Sequence, residues 1–180
     1  MNDRQNQIIA AATELFLNEG VGVPTARIAQ EAGVSNGTLF NAFASKQILI
    51  DTIYRTAKRE MFAALPHPGS SAVTTETLRE NWDGYMRWAR ANPKMRRVMH
   101  LLLESGLASD QTKAEVEEIA APGAIWLQTA LDAGVIRGPS VAFIGKLVFL
   151  QLDLVITENL TGSDEDLAFE MLCNSIGLKT

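Results

Sequence analysis

The chain has 180 residues and a formal net charge of −5, with 21% charged and 47% hydrophobic residues. That apolar content can bury a core, which excludes a disordered tail, and the acidic balance argues against a nucleic-acid coat or a polybasic membrane binder. Any contact with nucleic acid must therefore be local.

The opening run Met1-Asn2-Asp3-Arg4-Gln5-Asn6-Gln7 is too polar for the apolar middle of a secretion signal. The richest apolar stretch, 147–156, is interrupted by Gln151 and Asp153 and falls short of the ~20 residues a bilayer-spanning helix needs. The lone cysteine, Cys173, allows no internal disulfide and fits a reducing compartment. A soluble cytoplasmic protein is expected.

Apolar residues recur at helical spacing almost throughout, with neither strand alternation nor an internal repeat, which predicts an all-α fold of about nine helices. Ile8, Ala12, Leu15 and Phe16 stripe the first, which stops at Gly20-Val21-Gly22. Pro24-Thr25 opens a short second helix carrying Ile28, Ala29 and Ala32, with Gly33 where a left-handed residue is wanted. Ser35 is the natural N-cap of a third, whose apolar side is Leu39, Phe40 and Phe43. A fourth runs from Ser45 through Phe62 to the loop Pro66-His67-Pro68-Gly69-Ser70-Ser71. Five more follow at about 75–92, 93–105, 110–133, 140–160 and 163–176, and Pro122-Gly123 should kink or split the third of these.

Two short helices joined by a glycine turn, the second opened by a hydroxyl cap, have the geometry of a helix-turn-helix. Here Ile9, Ala12, Leu15-Phe16, Gly20, Thr25, Ile28-Ala29, Ala32-Gly33-Val34-Ser35, Gly37, Leu39-Phe40, Phe43, Lys46 and Leu49 resemble the TetR family of bacterial transcriptional regulators. The resemblance covers about 7–57, and the Gly134-Val135-Ile136-Arg137 turn before a long helix agrees with it. It implies a three-helix DNA-binding head at 1–63 and an antiparallel helical bundle at 64–180 that binds a ligand and dimerises through its last two helices. A weaker resemblance, in Trp88-Ala89-Arg90-Ala91-Asn92-Pro93, Gly37-Thr38-Leu39-Phe40 and Lys46, is to the subgroup that represses multidrug-efflux genes. The implied function is a repressor released from a palindromic operator by a small organic effector.

With Leu39 and Phe43 turned inward, the third helix leaves Asn36, Gly37, Thr38, Asn41 and the flanking Phe40 for base edges, with Ser35 at its head. Asn can pair with an adenine edge and a Thr methyl can touch thymine. Thr25 and Lys46 resemble the family's phosphate anchors, and Arg27 is a further backbone candidate. Phe40 stands where the family usually has Tyr, and Ala42 where it has His or Tyr, so two phosphate contacts are missing. Residues 1–63 carry six basic and six acidic side chains, which predicts modest affinity and a shallow salt dependence. These features also admit an alternative: a regulator with weakened DNA binding that acts through protein partners.

In the body, apolar residues encircle 140–160 more fully than one intramolecular face can use, and 163–176 adds Leu167, Met171 and others at amphipathic spacing, so a homodimer is expected. Trp82, Tyr85, Met86, Trp88, Met99, Trp126 and Phe149 concentrate there and suit a planar or cationic organic molecule, yet the stripe Leu78, Trp82, Tyr85, Met86, Ala89 would equally serve a plain core. Asp153 is either a counter-ion for a cationic ligand or a partner for Lys146. Catalysis is not expected: His67, His100 and Cys173 are the only usual non-carboxylate catalysts, and no Glu-x-x-His spacing exists for metal chemistry, so neither metal nor cofactor is implied.

Overall fold

The computed structural model describes residues 2–66 and 72–178, which form nine α-helices and no strand. Of the predicted proline-rich loop, 67–71 lie outside the described residues. Helix α1 (Asp3–Glu19) starts at a reciprocal cap, in which Asn2 Oδ1 accepts the Gln5 N–H at 2.9 Å and Gln5 Oε1 accepts the Asn2 N–H at 3.1 Å. It stops at Gly20, whose φ of +83° lies in the region glycine favours. Then come α2 (Thr25–Glu31), α3 (Asn36–Ala42), α4 (Lys46–Ala63), α5 (Thr75–Ala91), α6 (Pro93–Ser105), α7 (Asp110–Asp132), α8 (Val141–Thr157) and α9 (Ser163–Ser175).

The chain divides into two compact units. The first comprises residues 1–60 with 92–116, so the expected head at 1–63 shares its packing with α6 and the start of α7. Its core includes Ile8, Phe16, Ile28, Leu39, Leu49, Ile53, Val98 and Leu102, each at most 1% exposed. Helix α6 lies against α1, where Lys94 Nζ pairs with Glu14 at 2.5 Å. The α6–α7 turn is tied to α4: Gln47 donates to Leu107 O at 2.8 Å, Asp51 accepts the Ser109 N–H at 2.8 Å, and Arg55 pairs with Glu115 at 2.6 Å.

The second unit comprises 61–91 and 117–180, built on packing of α5, α8 and α9. Gly84 on α5 passes so close to the chain that a Cβ there would lie 2.4 Å from Ala64 O. Helices α5 and α9 are clasped by ion pairs from Arg79 to Asp166 at 2.8 Å and from Arg90 to Glu165 at 2.6 Å. Trp82 meets Phe169 edge-on at 5.5 Å. Of the kink or split expected at Pro122-Gly123, the split does not occur: α7 continues through Pro122 as one helix. Proline deletes only the bond to the Glu118 carbonyl, and Glu118 is exposed, so water can satisfy that oxygen.

Candidate nucleic-acid interface and effector cavity

Helix α2 ends in a Schellman turn: Gly33 N–H donates to Gln30 O at 3.1 Å, Val34 N–H donates to Ala29 O at 2.9 Å, and Gly33 has φ +65°. Val34 alone separates this turn from Ser35, whose Oγ accepts the Thr38 N–H at 3.1 Å and lies 2.9 Å from Thr38 Oγ1. The result is a two-turn α3 held by Leu39 and Phe43, 0% and 3% exposed. Asn36, Gly37, Phe40 and Asn41 lie on its exposed side, while Thr38 is half-buried with its hydroxyl engaged by Ser35.

Around α3 the cations are already engaged. Lys46 Nζ donates to Val23 O at 2.6 Å, and burial pushes its pKa below the usual lysine value. Arg27 is held by Glu31 at 2.9 Å and Glu19 at 3.5 Å. Thr25 is half-buried at the start of α2, where Pro24 supplies no side-chain cap.

In the second unit, α5, α7 and α8 border a cavity of about 400 Å³. Of the aromatic candidates, Trp82, Tyr85, Trp126 and Phe149 line it, with Tyr85 and Phe149 edge-to-face at 6.1 Å. Met86, Trp88 and Asp153 belong to the same unit but do not border the cavity, and Met99 is buried in the first unit, on α6. Cys173 is fully buried, and burial pushes its thiol pKa up, as befits a packed apolar residue. Among the described residues, no cluster of His, Cys, Asp and Glu is placed to hold a metal.

Sequence reasoning missed Glu165, which is 8% exposed and accepts from the Trp82 indole N–H at 3.3 Å and from Arg90. The signal was present: Glu165 shares an i, i+3, i+4, i+7 stripe with the buried Ala168, Phe169 and Leu172. It also missed the cavity's small residues, Gly123 and Gly145.

A capped two-turn helix presenting amides and a glycine, set on its partner helix by a glycine turn, is the arrangement of a helix-turn-helix. Residues 8–53 match the family described as bacterial regulatory proteins, tetR family. The fold is similar to a crystal structure assigned to tetR-family transcription regulators from Shewanella sp. PV-4, at TM-score 0.83 and 22% identity over 97% of this chain and 98% of that one. It is also similar to a TetR-family regulator from Marinobacter aquaeolei VT8, at TM-score 0.80 and 19% identity over 96% and 95%. A tetR-family regulatory protein from Rhodococcus RHA1 matches at TM-score 0.76 and 19% identity over all of both chains. Residues 8–53 therefore carry a helix-turn-helix region similar to that of the tetR family, and the chain shares its fold with these regulators. No helix among the described residues is long and apolar enough to cross a membrane.

Proposed function

We propose that the chain is a ligand-responsive repressor that binds a palindromic operator as a homodimer and is released by a small organic effector. The observation that carries this reading is α3: one side anchored by buried Leu39, the other presenting Asn36, Gly37, Phe40 and Asn41. Thr25, Lys46 and Arg27 flank it as phosphate contacts, with Ser35 and Thr38 fixing its first turn.

A homodimer is supported by apolar side chains that the chain itself leaves uncovered on its last two helices. Phe143, Leu150 and Leu154 on α8 are 52%, 71% and 56% exposed, and Leu167 and Met171 on α9 are 56% and 58% exposed. Two copies would then place two α3 helices one duplex turn, ~34 Å, or a multiple apart. The cavity is the site offered to the effector, which must bind the DNA-incompetent state better, by about 1 to 3 kcal/mol for roughly 5- to 150-fold derepression.

Selection of bound fragments from the source genome tests this. An inverted repeat, footprinted by the protein and released by an effector, is the expected result. Fragments enriched without any shared sequence would overturn operator reading. That outcome would favour the second reading, action through protein partners, which the internal engagement of Arg27 by Glu19 and Glu31 encourages.

A further inference from the structure

We infer that the cavity of the second unit takes an uncharged, largely apolar small molecule, and that Gly145 on α8 and Gly123 on α7 set the space it fills. This gives the effector of the regulatory reading its chemical class and rests on that reading for its biological consequence. Among the described residues, no side chain lining the cavity is charged. Its polar groups are few, and two are already committed: Asn81 Nδ2 donates to Thr77 O at 3.2 Å and the Trp82 N–H donates to Glu165 at 3.3 Å.

Glu165 is the carboxylate reached through Trp82, and Arg90 neutralises it at 2.6 Å. A charged ligand would therefore lose its water without gaining a counter-ion. The aromatic faces of Trp82 and Trp126 attract a cation, but that attraction is smaller than the cost of dehydrating it in an apolar cleft.

The glycines point the same way. A Cβ built at Gly145 or Gly123 meets nothing within 4 Å, and neither backbone has positive φ. Glycine inside a helix is destabilising relative to alanine, so the fold has no use for it at these positions. Gly84 is the contrast, since its Cβ would strike a carbonyl. The room left by Gly145 and Gly123 is cavity room, and a volume of about 400 Å³ suits a molecule of drug size.

The test is a fluorescence titration of the full chain without DNA. The probes are neutral N-phenyl-1-naphthylamine, 8-anilinonaphthalene-1-sulfonate, which adds a negative charge to the same ring system, and cationic ethidium. The neutral probe is expected to bind with tryptophan quenching and both charged probes about tenfold more weakly. Gly145→Leu should weaken the neutral probe about tenfold or more by occupying its space, with Gly145→Ala intermediate and its thermal midpoint no lower than wild type. Equal or tighter binding of a charged probe overturns the chemical class. Unchanged neutral binding in both Gly145→Leu and Gly123→Leu overturns the site, and Gly145→Ala decides if the larger variants unfold. Tight neutral binding that never alters operator affinity supports this cavity assignment and counts against effector control instead.

Discussion

The ammonium of Lys46 lies 2.6 Å from the carbonyl oxygen of Val23, so the first residue of α4 is tied to the turn that precedes α2. One of its three donors is spent inside the protein and two remain for a phosphate. Lys46→Ala should therefore weaken every DNA sequence alike. The log–log salt slope should fall by about 0.9 per subunit, from a wild-type value implying no more than about eight counterions per dimer. Operator and random-duplex titrations over a salt series check both; a loss confined to the operator would contradict a phosphate role.

Gly37 offers a separable prediction. A Cβ there would meet only Ser35 Oγ, at 3.8 Å, so alanine fits the fold and should stabilise the protein by about 0.5–1 kcal/mol. If α3 enters a groove, the added methyl should also weaken operator binding. Denaturant unfolding together with operator titration reads the two effects, and stabilisation without any loss of binding would remove Gly37 from the interface.

Asn41 is exposed at the far end of the same face. Asn41→Ala should cost about 1–3 kcal/mol on the preferred site and relax the preference at one base position in each half-site. Repeating the sequence selection with the variant reveals whether a single position, rather than all of them, loses its preference.

The head was legible because its boundaries are stereochemical demands made by single residues: Gly33 at positive φ, then Ser35 as a cap. The cavity was not. Leu78, Trp82, Tyr85, Met86 and Ala89 all proved buried, but of these only Leu78, Trp82 and Tyr85 border the cavity. Periodicity reports that a face is covered, not whether the cover is protein or void. For the same reason Met99 was read with the body, since nothing in the pattern of α6 names α1 as its neighbour. Glu165 sits among the acidic residues that start α9, and only its register with Ala168, Phe169 and Leu172 reveals that it turns inward.

The Arg55–Glu115 pair gives a pH dependence with a definite sign. Its hydrogen bond to Arg55 holds the Glu115 carboxyl below the usual glutamate value. A carboxylate depressed in the folded state adds stability above its unfolded pKa and loses it as pH falls through the folded value. Glu115→Gln should therefore lower the thermal midpoint at neutral pH, with the two proteins converging in acid below the ordinary glutamate range. Parallel melting curves from pH 7 down to about 3 decide it, and a constant gap would assign the loss to something other than this ionisation.

The uncovered apolar side chains of α8 and α9 make the last prediction. Leu150 and Met171 are 71% and 58% exposed, so aspartate at either position should leave the isolated chain folded. In a two-fold dimer each substitution enters the interface twice, burying carboxylates without partners. Association should weaken at least about 100-fold, which is roughly 2.7 kcal/mol. Sedimentation should show the wild-type dimer replaced by monomer at micromolar concentration, with helix content unchanged by circular dichroism. Loss of operator binding in the same monomer would follow, because a single α3 reads only half of a palindrome. A Leu150→Asp protein that still sediments as a dimer would mean that the α8 face is not the contact between copies.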